Sequence, residues 1–135
     1  MKILLDTGPW VALIDRSEAR HQECVSWLKG YNGDIFSSEA VLTEVLYLLN
    51  FSFQAQQAAL EFVLAGVVVL VPSDVESLKT VTRLMKKYRD FPMDFADATL
   101  LAAAFDLVID HIATFDKKHF GAYSLGNKKH FEIVP

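Results

Sequence analysis

Short apolar runs separated by longer amphipathic stretches constrain this chain more than any other feature. Ile3-Leu4-Leu5, Asp34-Ile35-Phe36, Val67 to Val71, His111 to Thr114 and Phe131 to Val134 are too short to be helices and read as strands. The run from Val67 to Val71, ended by Pro72, is expected to be buried on both faces. Between the runs, apolar residues recur at helical spacing. Pro9 suits the first turn of a helix through Trp10 to Ile14. Helices are also expected over 18–29, 54–64 and 94–105. Ser37-Ser38 offers an N-cap before Val41, Leu42, Val45, Leu48 and Leu49, and Ser73 one before Val75, Leu78, Val81, Met85 and Tyr88. Strands alternating with helices make a parallel sheet covered on both faces. The expected fold class is α/β: a three-layer α/β/α sandwich around a central, mainly parallel sheet of about five strands.

Several classes are excluded. With 52% hydrophobic and 22% charged residues the chain is not disordered. Its 135 residues, without linker or repeat, are expected to form one domain, 1–135. The single cysteine, Cys24, forms no disulfide framework or cysteine zinc site and is expected as a small buried hydrophobe in a reducing compartment. No apolar stretch approaches the ~20 residues of a membrane span, and the first apolar run meets Asp6 at once. A cytoplasmic protein with no membrane contact is the expectation.

In a parallel sheet, ligands bind outside the carboxyl ends of the strands. Asp6 directly follows the first strand, and Asp116 closely follows the fourth. Either could simply cap the next helix. Glu44 shares a helical face with Val41, Val45 and Leu48, where a lone buried carboxylate is costly. Asp94 and Asp97 open an Ala-rich helix, where both would also complement the helix dipole. Several carboxylates meeting at one edge repel one another unless a cation joins them. Oxygen-only donors suit Mg²⁺ or Mn²⁺, and such a cation points to phosphate chemistry.

With Asp6-Thr7 after strand one, Glu44 on a helix, Asp97-Ala98-Thr99-Leu100-Leu101-Ala102-Ala103-Ala104, and Thr114-x-Asp116 after strand four, the chain resembles the PIN-domain ribonucleases. The likeness is greatest to the short VapC-like toxins of type II toxin–antitoxin systems. His21 also falls where many such toxins carry a histidine. The resemblance covers nearly the whole chain. It implies a PIN-like sandwich and a Mg²⁺- or Mn²⁺-dependent endoribonuclease. Asp6, Glu44, Asp97 and Asp116 would be the catalytic, metal-holding quartet, with Thr114, Thr7 and Asp94 in support. Whether Asp94 or Asp97 is the main ligand stays open, with the Asp-Ala pair favouring Asp97. The resemblance also implies an RNA substrate, an antitoxin protein as partner and a homodimer.

Candidate nucleic-acid contacts are Lys117, Lys118 and His119 after Asp116, and Lys86 and Lys87 in a segment from Lys79 to Arg89 that holds no acid. Phe51-Ser52-Phe53 is a candidate contact for a partner protein. The net charge of -4 at first argues against nucleic acid. Setting aside the quartet, however, leaves 13 of the 17 acids, equal to the 13 Lys plus Arg. Two competing readings, a phosphoacceptor domain and a phosphatase, are disfavoured. A receiver domain needs an acidic neighbour beside Asp6, and a haloacid-dehalogenase-like phosphatase needs an acid where Gly8 stands. A non-catalytic PIN-like module that binds RNA or protein is the remaining alternative.

Overall fold

The computed structural model describes residues 1–135. Its elements are β1 (Lys2–Leu5), α1 (Thr7–Ile14), α2 (His21–Gly30), β2 (Asp34–Ser37), α3 (Glu39–Leu48), α4 (Phe53–Leu64), β3 (Val68–Leu70), α5 (Val75–Lys87), α6 (Phe95–Leu107), β4 (His111–Ala113), α7 (Lys117–Ala122) and β5 (Glu132–Val134). All five strands are parallel, in the order β3-β2-β1-β4-β5. The expected α/β architecture is present, and the sheet is parallel throughout.

Sequence explains the order of burial. Ile3, Leu4 and Leu5 on the central strand are fully buried, as is Ile112 beside them on β4. Each such residue contributes about 2 kcal/mol by leaving water. The β3 expectation is only partly met. Val68 is buried, but Val67 and Val69 are 40% and 48% exposed. The strand lies at the sheet edge, where half of its surface has nothing to pack against.

The helices are bounded by local chemistry. Ser38 caps α3 by accepting the Val41 N–H at 3.2 Å, and Ser52 caps α4 through the Ala55 N–H. Asp74, rather than the expected Ser73, caps α5 in a reciprocal box with Ser77. α2 begins at His21, three residues later than expected, after a turn around Arg16 to Arg20. Past the C-terminus of α4, Gly66 takes φ +80°, which a Cβ would disfavour. α6 outlasts its expected end at Phe105 and stops only at Val108, held at φ 56°.

α6 is apolar almost all round, and Ala98 and Leu100 to Ala104 are buried on it. Cys24 is fully buried against Ala12 and Leu13, as expected of a small hydrophobe. No helix is long and apolar enough to cross a membrane.

Topology places the functional edge. The chain moves outward from β1 to β2 and β3, then crosses to β4 and β5 on the other side. The switch falls at the centre of the sheet, between β1 and β4. In open parallel sheets the crevice at that point, outside the carboxyl ends, is where ligands bind. Asp6 is the first residue past β1, and its backbone N–H donates to the Ala113 carbonyl at 3.0 Å.

Candidate active site

Three acids at this edge share one arrangement. The Thr114 hydroxyl, just past β4, donates to Asp6 Oδ2 at 2.7 Å. The Thr7 hydroxyl, at the start of α1, donates to Glu44 Oε2 at 2.9 Å. The Tyr123 hydroxyl donates to Asp97 Oδ2 at 2.9 Å. In each case a neutral hydroxyl donor holds one carboxylate oxygen. Glu44 escapes the conflict foreseen for it. Val41 and Val45 are buried, while Glu44 sits half-buried at the edge of their stripe, within reach of Thr7.

The electrostatics follow from this crowding. Burial pushes the Asp6 carboxyl up from 3.8 to about 6 against the pull of the Thr114 and Thr7 hydrogen bonds, with the charges of Glu44 and Asp116 adding to the rise. Asp97 is pushed up from 3.8 to about 7, first by burial, then by the charge of Asp94, with Asp6 adding to it. The Tyr123 hydrogen bond opposes that rise. Asp6 is thus close enough to Glu44, Asp97 and Asp116 to exchange charge effects with each. No Lys or Arg pairs with Asp6, Glu44, Asp94, Asp97 or Asp116.

Uncompensated carboxylates with one oxygen each held by a hydroxyl fit a hard, oxygen-seeking cation. The donor set contains no cysteine, and the nearby His119 is turned onto Asp116. The cage is nonetheless not preformed: no three His, Cys, Asp or Glu side chains are close enough together to enclose a cation as they stand. Asp6 and Asp97 are linked by charge, Asp6 adding to the rise of the Asp97 carboxyl.

Asp94 and Asp116 sit differently. Asp94 is exposed, and its Oδ1 caps α6 by accepting the Asp97 N–H at 2.8 Å. Asp116 caps α7: its Oδ1 accepts the His119 N–H at 3.0 Å, and its carboxylate meets His119 Nδ1 at 3.0 Å. Its own N–H donates to the Thr114 hydroxyl, so Thr114 links Asp116 to Asp6. The capping role allowed for Asp116 is thus real and does not remove it from the edge.

Basic residues border the site. Lys117 and Lys118 follow Asp116 at once and are exposed. His119 is half-buried, its ring tilted against Phe91 at 4.6 Å and bonded to Asp116. Lys86 and Lys87 end α5 exposed, with Lys87 Nζ 5.2 Å from the Tyr88 ring. Tyr88 packs edge-on against Tyr123 at 4.9 Å, which brings this end of α5 beside Asp97. Further along α5, Lys79 is taken up by Glu76 at 3.0 Å. His21 is occupied elsewhere, its Nδ1 lying 2.6 Å from the Ala12 carbonyl.

Tyr123 is the residue that sequence reasoning missed. It lies 26 positions from Asp97, and no spacing rule links a residue after α7 to the first turn of α6.

Comparison with known proteins bears on the family and the fold. A family model described as PIN domain matches residues 3–124. Ribonuclease VapC26 of Mycobacterium tuberculosis (strain ATCC 25618 / H37Rv) is 24% identical over 135 residues, covering 98% of this chain and 100% of the relative. Among solved structures, Mycobacterium tuberculosis VapC20, described as a Sarcin-Ricin loop cleaving toxin, superposes with a TM-score of 0.80 at 24% identity, over 89% of this chain and 94% of that one. VapBC2 from Rickettsia felis, bound to a DNA fragment from their promoter, gives a TM-score of 0.67 at 16% identity and covers both chains fully. FitAcB from Neisseria gonorrhoeae gives 0.66 at 18% identity, over 89% and 91%.

Proposed function

Because the chain belongs to the PIN-domain family, we propose that it is a divalent-metal-dependent endoribonuclease and the toxin of a toxin–antitoxin pair. The observation that carries this reading is the unpaired Asp6–Asp97 couple at the sheet's switch point, with carboxyls raised to about 6 and about 7 and no protein cation beside them. Asp6 and Asp97 hold Mg²⁺ or Mn²⁺ directly. Glu44 and Asp116 complete the pocket and position the attacking water. A cation bound there supplies the charge that activates that water and stabilises the in-line transition state at phosphorus.

The chain's own groups do the rest. Thr114 and Thr7 fix the rotamers of Asp6 and Glu44 through the bonds already described. Lys117, Lys118, Lys86 and Lys87 hold the RNA backbone on either side, and His119 keeps Asp116 oriented. The similarity to proteins named VapC26 and VapC20 supports RNA as the substrate. An antitoxin partner, a homodimer and a cytoplasmic setting complete the proposal. A partner contact at the α3–α4 corner is supported by Tyr47, Phe51 and Phe53, which are 71%, 65% and 71% exposed. Contiguous large apolar groups on a surface usually mark an interface.

One observation favours the second reading, a non-catalytic PIN-like binding module: the acids are not assembled into a finished cage. Cleavage of structured and single-stranded RNA with and without Mg²⁺ or Mn²⁺ separates the two. Metal-dependent cleavage lost in Asp6→Asn supports the nuclease. RNA binding without cleavage at any metal concentration supports the module.

A further inference from the structure

Tyr123 is fully buried, yet its hydroxyl reaches the one acid of α6 that faces the site. Its ring is gripped on several sides. Tyr88 lies edge-on at 4.9 Å, Phe120 at 5.2 Å and Phe91 at 6.1 Å. The segment behind it is tied down as well, since the Ser124 N–H donates to the Tyr88 hydroxyl at 2.8 Å. A phenol held this firmly loses little entropy in holding a partner, and its O–H can turn only towards an acceptor.

Two aspartates at the start of α6 are candidates for the same task, and their surroundings separate them. Asp94 is exposed and spends Oδ1 on the helix N-terminus. Asp97 is half-buried, with the neighbouring Asp94 carboxyl close enough to push its own carboxyl up and with Oδ2 held by Tyr123. Thr114 and Thr7 treat Asp6 and Glu44 in the same way. A metal-ligating carboxylate is commonly fixed by such an outer hydrogen bond, and losing the bond typically weakens metal affinity or activity by about 10- to 100-fold.

We propose that Tyr123 is a positioning residue of the cation site: its buried hydroxyl locks Asp97, and not Asp94, into the ligand orientation with one oxygen left for the metal. The inference rests on the metal-site reading given above and deepens it. Tyr123 touches neither the metal nor the RNA and acts only through Asp97.

The test is calorimetric titration of the intact chain with Mn²⁺ alone, with thermal unfolding recorded for each variant. Tyr123→Phe removes one oxygen and should weaken Mn²⁺ binding by about 10- to 100-fold while the chain stays folded. It should also raise the Mn²⁺ concentration for half-maximal RNA cleavage more than it lowers the rate at saturating Mn²⁺. Tyr88→Phe, which loosens the same aromatic cluster without touching a carboxylate, should leave Mn²⁺ affinity within about twofold. Asp97→Asn should abolish binding, and Asp94→Asn, which can still cap the helix, should cost less than about tenfold.

Unchanged Mn²⁺ affinity in Tyr123→Phe, or an equal loss in Tyr88→Phe, overturns the inference while leaving the metal site standing. Loss of binding in Asp94→Asn but not in Asp97→Asn overturns the choice of ligand. Full binding in both Asp6→Asn and Asp97→Asn overturns the metal-site reading itself.

Discussion

The two ends of β4 treat their acids in opposite ways. At its start, Asp110 meets Lys129 at 2.7 Å and His111 at 2.7 Å, and His111 also reaches Glu132 at 2.9 Å. Those bonds, the one to Lys129 foremost, hold the Asp110 carboxyl below its ordinary value. Beyond the other end of the strand, Asp6 just past β1 and Asp97 in the first turn of α6 have no cationic partner, and their carboxyls are raised. Both groups border β4, one where it pairs with β5 and the other where it pairs with β1. One end is a finished electrostatic structure. The other has carboxyls that no cationic side chain balances, so that a proton or a bound cation must do so.

The largest expected effect breaks the contrast outright. Asp6→Asn should lower metal-dependent RNA cleavage by about a thousandfold or more, in line with the several kcal/mol of charge stabilisation a metal supplies. Asp110→Asn, at the paired end, should leave the rate near wild type. Equal losses in a cleavage assay would erase the distinction.

Next comes pH. Asp6 and Asp97 keep their protons to higher pH in the folded chain than in the unfolded one. Between about pH 4 and pH 7 the folded state therefore binds more protons, so the metal-free protein should lose stability as pH rises through that window. Thermal unfolding from pH 5 to 8 with a chelator checks this. Asp97→Asn should flatten the fall and raise Tm at pH 8 by roughly 3–5 °C, about what 1 kcal/mol does in a domain of this size. Mn²⁺ must displace those protons, so its affinity should weaken as pH drops below 7 and again below 6.

A smaller effect is expected at Thr114. Thr114→Val keeps the shape but removes the donor to Asp6, and Mn²⁺ affinity measured by titration should fall by about tenfold. The smallest belongs to the paired end. Asp110 and Lys129 are 41% and 58% exposed, so Lys129→Ala should cost under about 1 kcal/mol in denaturant unfolding. A larger loss there would show that the charge network at the start of β4 carries more of the fold than exposed pairs normally do.

The sequence makes the layers legible because the strands bury both faces and so read as unbroken apolar runs. β1 and β4 illustrate this, with Ile3, Leu4, Leu5 and Ile112 all fully buried. It misleads at β3, since Val67 and Val69 have the composition of a core strand and no local mark of being at an edge. It also misleads at the end of α6, where Val108 adopts a left-handed conformation that residue type disfavours. Asp6, Glu44, Asp97 and Asp116 could be singled out because each follows a strand or stands out on an apolar or Ala-rich helix, whereas Thr7 and Thr114 came only with the family resemblance. Tyr123 could not, because its meaning lies in a contact across 26 residues made by tertiary packing alone. Between Asp94 and Asp97 the sequence offers only a leaning, through the Asp-Ala pair, and their hydrogen bonds separate the cap from the half-buried acid.

The most direct measurement is anomalous diffraction from a crystal of this chain soaked in Mn²⁺. The account predicts a single strong peak about 2 Å from one oxygen each of Asp6 and Asp97, with Thr114 and Tyr123 still bonded to the other oxygens and Asp110 and Glu132 bare. Manganese on Asp110 and Glu132 instead, or Asp6 and Asp97 turned apart with no metal between them, would contradict it.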